Sequence, residues 1–117
     1  MHTSLLLVYT DVDPEYEEDF HRWYDEVHLP DLLSIDGFVG ARRYKLSGPA
    51  PRNQQPACQY LAVYELATDD TKEVMKRLSE EVARLGERGT HPHMRVGSAS
   101  TYVALGPRQE AAPGHAS

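Results

Sequence analysis

The chain has 117 residues, the size of one domain, since a typical domain has roughly 100–200 residues. Hydrophobic residues make up 40% of it and charged residues 26%, which excludes wholesale disorder. The longest apolar run, Leu5–Tyr9, is far shorter than the ~20 residues that span a bilayer, so no membrane partner is expected. The net charge of −6 argues against a nucleic-acid partner, because phosphates are neutralised by basic surfaces. Cys58, the single cysteine, cannot form an internal disulfide, which favours a reducing, cytoplasmic location.

The first segment of the chain predicts a strand followed by a helix. Thr3–Thr10 is aliphatic and β-branched, as buried strands are. Asp13 then stands at a helix N-cap, with Pro14 at the first helical position. We expect this helix to end near His28, because Pro30 disfavours the helical conformation in the residue before it. Its apolar face would be formed by Tyr16, Phe20, Trp23, Tyr24 and Val27.

Two strands and a second helix are predicted next. Phe38–Leu46 reads as a strand, and Ser47–Pro56 is a polar, proline-rich loop. Cys58–Leu66 alternates in the manner of a second strand. The second helix is predicted to begin after Asp70 as its N-cap and to end at Gly86.

The last predicted strand is Val96–Leu105, and it completes the order β-α-β-β-α-β. This order predicts a ferredoxin-like α+β fold: a four-stranded antiparallel sheet with two helices on one face. We assign residues 1–106 to a single domain and residues 107–117 to a flexible C-terminal tail. Because the helices cover only one face of the sheet, we expect a second copy to cover the other in a homodimer. The alternative is a monomer with a solvated second face.

One stretch of the sequence resembles the EthD-like members of the dimeric α/β-barrel superfamily. It is FHRWYDEVHLPDLL at residues 20–33, followed by Gly37-Phe38 and then by Ala41-Arg42-Arg43-Tyr44. In that family a helix ends in a W-Y-x-x-x-H-x-P pattern, before a G-F turn and a strand with a basic-aromatic ending. The resemblance implies a dimer barrel of two sheets, with a small-molecule pocket in each subunit between sheet and helices. It does not choose among the cyclases, cofactor-free oxygenases, isomerases, dehydratases and haem proteins of the superfamily.

Three residues are candidates for catalysis. His28 can act as a general acid or base near neutral pH, or it can be a structural histidine that anchors a turn. Tyr24 has a hydroxyl that can donate to a substrate carbonyl. Asp31 can orient His28 across the Pro30 turn, or it can cap the short turn that follows.

Four further residues are candidates for substrate binding: Trp23, Arg43, Tyr64 and His93. Arg42 and Arg43 are adjacent on a predicted strand and point to opposite faces, and the sequence does not say which one faces the pocket. His93 belongs to the His91-Pro92-His93 segment, which can close the pocket from the loop before the last strand. The two histidines lack a clear set of further ligands, so no metal is expected.

These observations predict a small enzyme that uses no cofactor. Its substrate would be an apolar, oxygenated metabolite, either aromatic and polyketide-like or a cyclic ketone or enol. The reaction would be acid/base proton transfer by a cyclase, dehydratase or isomerase, with charge on the substrate oxygen stabilised by tyrosine and arginine. One alternative is a cofactor-free or haem-dependent monooxygenase. Another is a dimer without catalytic activity that binds a metabolite or serves as a scaffold.

Overall fold

The computed structural model describes residues 3–48 and 58–114. Four strands form one antiparallel sheet in the order β2-β3-β1-β4, which is the order of a ferredoxin-like fold. The predicted α+β fold class is therefore confirmed. The elements are β1 (Thr3–Val12), α1 (Glu17–Trp23), α2 (Leu29–Leu33), β2 (Phe38–Lys45), β3 (Tyr60–Ala67), α3 (Thr71–Leu85) and β4 (Met94–Val103).

The core lies between the sheet and the helices. Alternation along β3 turns one set of side chains toward the helices, where they are buried, and the other set toward the open face. Leu6 of β1 pairs with Tyr64 of β3, so both side chains point into the same core. Phe20 of α1 and Val74 of α3 are fully buried against this face. The buried residues of β3 are Tyr60, Ala62, Tyr64 and Leu66.

The first helix does not end near His28, and that prediction was wrong. It passes through a π-helical turn, Tyr24–His28, and continues into α2 as far as Leu33. In this turn the Leu29 N–H bonds to the Tyr24 carbonyl, five residues back. A proline normally breaks a helix because its ring collides with the carbonyl four residues earlier. The wider turn relieves this contact for Pro30, so the chain stays helical.

Several predicted boundaries shift by one to three residues. Asp70 is confirmed as an N-cap, since its carboxylate accepts hydrogen bonds from two backbone N–H groups of α3. Gly86 is confirmed at the other end, with a positive φ of 61°. Asp13 makes no capping hydrogen bond, and its carboxylate instead pairs with Arg95 at 2.9 Å. The predicted loop of residues 47–56 lies largely outside the described residues.

Gly37 determines the conformation of the turn between α2 and β2. Its φ of +104° is a backbone conformation that residues with a Cβ rarely adopt. A Cβ there would also lie 2.9 Å from Cγ2 of Val74 in α3. The turn therefore packs directly against α3, which holds the helical layer together above the sheet. Among the described residues, no helix has the length and hydrophobicity needed to cross a membrane.

Candidate functional site

A cavity of about 270 Å³ lies between the sheet and the helices. Its volume is just below the ~300 Å³ at which small-molecule pockets commonly begin, so it suits a small ligand. Its wall combines aliphatic side chains with one imidazole and two phenols. The lining residues are Leu6, Val8, Tyr24, His28, Leu32, Tyr64, Leu78, Val82, Gly89, Thr90, Met94, Val96 and Ala99.

His28 is the basic group of this cavity. The π-helical turn brings it to the inner side of the helix, where only 9% of the residue is exposed. Its ring stacks on Trp23 with centroids 4.5 Å apart and meets the edge of Tyr24 at 5.0 Å. Burial lowers the pKa of His28 to about 4, against the opposing effect of the Asp31 carboxylate. The imidazole is therefore neutral at pH 7.

One ring nitrogen of His28 has no protein partner. Nδ1 is buried and makes no hydrogen bond to any residue that the structure describes. A buried polar atom left without a partner costs roughly 1–3 kcal/mol. The structure therefore does not support the structural alternative, in which the ring would be bonded to a backbone carbonyl. A ligand atom that bonded this nitrogen would recover the cost.

Tyr24 and Tyr64 form the second polar group of the cavity. Tyr64 lies on β3 and donates a hydrogen bond from its hydroxyl to that of Tyr24 at 3.2 Å. Both residues are almost completely buried, and burial raises the pKa of each phenol, so both stay protonated. Each hydroxyl carries one proton, and the hydrogen bond between them uses only the proton of Tyr64. The second proton, on Tyr24, is left to donate to a ligand oxygen.

Asp31 does not hydrogen-bond to His28. Its carboxylate instead accepts two hydrogen bonds from Arg88, from Nε at 2.8 Å and from Nη2 at 2.7 Å. Nor does it cap α2 with its side chain. Its effect on His28 is electrostatic, since its negative charge favours the imidazolium form.

Trp23 and Arg88 connect the first helix to a segment that lines the cavity. The indole Nε1 of Trp23 donates to the Arg88 carbonyl at 3.1 Å, while the Arg88 guanidinium pairs with Asp31. These bonds fasten the segment after α3 to the first helix. Gly89 and Thr90 in that segment form part of the cavity wall. Trp23 itself covers the outer face of the His28 ring.

Arg43 lies behind Tyr24 and does not line the cavity. Its guanidinium carbon is 4.4 Å from the centroid of the Tyr24 ring, within the range of a cation–π contact. Nη1 donates to Asp25 at 3.0 Å and Nη2 to Nδ1 of His21 at 2.9 Å. Arg43 therefore lies on the side of the sheet that faces the helices, and the adjacent Arg42 lies on the other side. This answers which of the two arginines faces the helices. The positive charge of Arg43 acts on the phenol through the ring.

His93 also lies away from the cavity. It is exposed and stacks on Tyr16, with ring centroids 3.5 Å apart. His91 is buried, its Nε2 bonds to Asp19 at 2.8 Å, and its Nδ1 accepts the His93 N–H. The pair holds the start of β4 against α1, and no metal-binding cluster occurs within residues 3–48 and 58–114.

Of the seven predicted site residues, the structure brings three to the cavity wall: Tyr24, His28 and Tyr64. Trp23 and Arg43 contact His28 and Tyr24 respectively from outside the cavity. Asp31 also lies outside it and acts on His28 through its charge. The sequence analysis missed Arg88, Gly89 and Thr90. The motif gave no signal for them, since they lie more than 50 residues away along the chain and are placed only by the packing of α3.

Fold and cavity define this chain as a ferredoxin-like α+β domain with a small cavity beneath its helices. It belongs to the DUF4286 family, a domain of unknown function whose family model matches residues 3–94. A search of curated protein sequences finds no significant match.

Solved structures share the fold at low sequence identity. A Shewanella loihica PV-4 protein proposed to be a monooxygenase is 10% identical, with a TM-score of 0.59 over 91% of this chain and 97% of its own. MhuD of Mycobacterium tuberculosis, a haem degrader solved with two haems in its active site, is 11% identical with a TM-score of 0.62 over 91% and 99%. An EthD family protein of Bacillus halodurans C-125 is 14% identical, at 0.49 over 86% and 97%. The predicted likeness in fold to the dimeric α/β-barrel superfamily is confirmed.

Proposed function

We propose that this protein is a cofactor-independent enzyme that removes a proton from a small, apolar, oxygenated metabolite. The observation that supports this most directly is the unpartnered Nδ1 of a neutral His28 in an apolar cavity. The free hydroxyl proton of Tyr24 lies in the same wall. A base and an oxygen-directed donor on one cavity wall are the two groups that enolisation needs.

The two groups have separate roles in such a reaction. His28 accepts a proton from a carbon beside the substrate carbonyl, or from an enol or phenol hydroxyl. Tyr24 donates to the substrate oxygen as negative charge develops there, and Tyr64 holds the Tyr24 oxygen in place. Arg43 stabilises that charge from behind the ring. Because an imidazole with a pKa of about 4 is a weak base, the proton removed must be fairly acidic, as in a conjugated ketone or an enol.

Haem does not fit the residues that line this site. No lysine or arginine lines it among the described residues, so the propionates would have no counter-charge. We therefore derive no step that involves haem.

Oxygenation without a cofactor is the second candidate. The same His28 that forms an enolate would also form the phenolate of a hydroquinone, and such electron-rich anions react with O₂. The fold likeness to the proposed Shewanella monooxygenase and to MhuD also favours it. The two candidates share their first step and differ only in whether oxygen is consumed.

Deuterium exchange tests the shared step. Incubating the protein in D₂O with 2-tetralone, whose benzylic C–H beside the carbonyl is unusually acidic for a ketone, should increase exchange of that C–H above the buffer rate, as followed by proton NMR. The Tyr24→Phe variant should lose most of this increase, because it lacks the donor to the substrate oxygen. An oxygen electrode with hydroquinone substrates separates the two candidates. If neither exchange nor oxygen uptake exceeds the buffer rate, the proposal is refuted and the non-catalytic alternative is favoured.

We also propose that the protein is a homodimer that buries the open face of the sheet. This face carries a half-buried apolar patch on the central strands β1 and β3, flanked by two exposed tyrosines. Large apolar surfaces of this kind usually mark interfaces. The residues are Leu5, Leu7, Tyr9, Leu61 and Val63, with Tyr44 and Tyr102 at the sides.

Replacing Leu61 with glutamate tests the dimer. Leu61 pairs with Tyr9 and Tyr44 near the middle of the open face, so each copy would bring a carboxylate into the interface. We expect the mass measured by light scattering to fall from twice 13.2 kDa to 13.2 kDa. Ala83→Glu, on the exposed side of α3, is the matched control and should leave the mass unchanged. A monomeric wild-type protein would contradict the proposal.

A further inference from the structure

A second apolar space lies beside the His28 cavity, along α3. It has a volume of about 460 Å³ and shares four wall residues with the first cavity. We name it the tail trough and define it by its lining: Leu6, Val8, Met75, Leu78, Ala99, Ser100 and Thr101. None of these side chains is ionisable.

The trough exists because β4 does not fill the space beneath α3. Ala99 and Thr101, the residues of β4 that face the helices at this point, have small side chains. Ala99 pairs with Val8 and faces the helices, yet it is exposed. Across from it, the apolar side chains of Met75 and Leu78 on α3 are only half-buried.

The cavity and the trough have different chemical characters. The imidazole of His28 and the phenols of Tyr24 and Tyr64 line only the first cavity, whereas the trough has two aliphatic hydroxyls, those of Ser100 and Thr101. From Val82, beside that cavity, to Met75 in the trough, α3 advances by seven residues, or roughly 10 Å. The two spaces are adjacent, because four residues contribute to the walls of both.

We propose that the substrate has two parts: an oxygenated head that binds at His28 and an unbranched apolar tail that lies between α3 and β4. The proposal rests on the proposed function for the identity of the head. It goes further by assigning a tail, and thus an alkyl- or acyl-substituted ketone or phenol as the substrate class. A compact ring without a substituent would leave the trough empty.

A series of 4-alkylphenols, from methyl to octyl, tests the tail by isothermal titration calorimetry. Burying one methylene contributes about 0.8 kcal/mol, so the dissociation constant should fall roughly fourfold with each added carbon. The fall should stop once the chain exceeds the roughly 10 Å that separate Val82 from Met75 along α3. A series with no dependence on chain length in the wild-type protein would overturn the proposal.

Two variants locate the tail. Ala99 lines both spaces, so Ala99→Phe should close the trough where it meets the His28 cavity, and longer chains should then bring no gain over 4-methylphenol. Thr101→Phe, at the far end, should affect only the longest chains. Ser98→Phe is the matched control, since Ser98 pairs with Tyr9 on the open face and should leave the series unchanged. Loss of the chain-length effect in the Ser98 variant, but not in the Ala99 variant, would place the tail on the open face and refute the proposal.

His28→Ala separates this proposal from the proposed function. It should weaken binding of every phenol by a similar factor while the fourfold step per carbon remains. If the wild-type protein shows that step but catalyses no proton exchange, the tail site stands and the enzymatic function fails. If exchange occurs but affinity does not depend on chain length, the enzymatic function stands and the tail site fails.

Discussion

Replacing His28 with alanine is expected to lower the rate of proton exchange in a bound ketone by about 10²–10⁴-fold, the usual contribution of a positioned general base. The alanine side chain removes the only basic nitrogen among the described lining residues of the cavity. The loss should remain at saturating substrate and so appear in kcat, because Tyr24, Tyr64 and the aliphatic wall still bind the ligand, although more weakly than in the wild-type protein. NMR exchange rates at saturating substrate measure it.

The pH profile, together with a control variant at another histidine, shows whether the effect is specific to His28. Because His28 acts in its neutral form and its pKa is lowered to about 4, activity should rise as the pH increases through about 4. It should show no inflection near 6.5, the pKa of an unperturbed histidine. His93→Asn should retain wild-type rates, since His93 is exposed and stacked on Tyr16. Full activity of the His28 variant would exclude the proposed base.

Acid is expected to destabilise the wild-type protein well before its carboxylates titrate. The folded state binds a proton at His28 only near pH 4, whereas the unfolded chain binds one near pH 6.5. Between these values the unfolded state holds more protons, so the free energy of unfolding decreases as the pH falls. A difference of about 2.5 pKa units corresponds to roughly 3 kcal/mol, fully lost below pH 4.

Urea unfolding at pH 7, 5.5 and 4.5 measures this loss. His28→Leu replaces the imidazole with an apolar side chain of related size, and it should flatten the pH dependence between 6.5 and 4.5. Glu17 and Glu81 also have lowered pKa values, from hydrogen bonds to Tyr60 and Arg84 respectively, but their contributions are lost at lower pH. His93→Asn is again the matched control. An unchanged slope in the leucine variant would show that His28 is not buried in its neutral form.

The fold was predictable because its signals are local. Alternation along β3, the Asp70 cap and Gly86 each depend on neighbours within a few residues. The order of these elements along the chain is compatible with few topologies, so the order of the strands in the sheet could also be predicted. The π-helical turn was not predictable, since the residues Tyr24–His28 have nothing that distinguishes them from an ordinary helical segment.

The site was only partly predictable. His28 and Tyr24 could be singled out because they lie close together in one motif, and Tyr64 because β3 alternates. The pairing of Asp31 with Arg88 spans 57 residues and depends on where α3 ends. The side of the sheet that Arg43 faces depends on the register of β2 with β3, including the irregularity between Phe38 and Gly40. Neither can be read from a single sequence.

The contact between Trp23 and His28 is set by residue count as much as by residue type. Side chains five positions apart on an α-helix point about 140° away from each other, so these two rings could not stack there. The π-helical turn holds more residues and brings both rings to the same side. A chain one residue shorter between them would need no π-helical turn, because side chains four positions apart already share one face of an α-helix. The spacing of five residues and the wider turn therefore belong together. In this protein, therefore, spacing between Trp23 and His28 is as much a signature of the site as the two residues themselves.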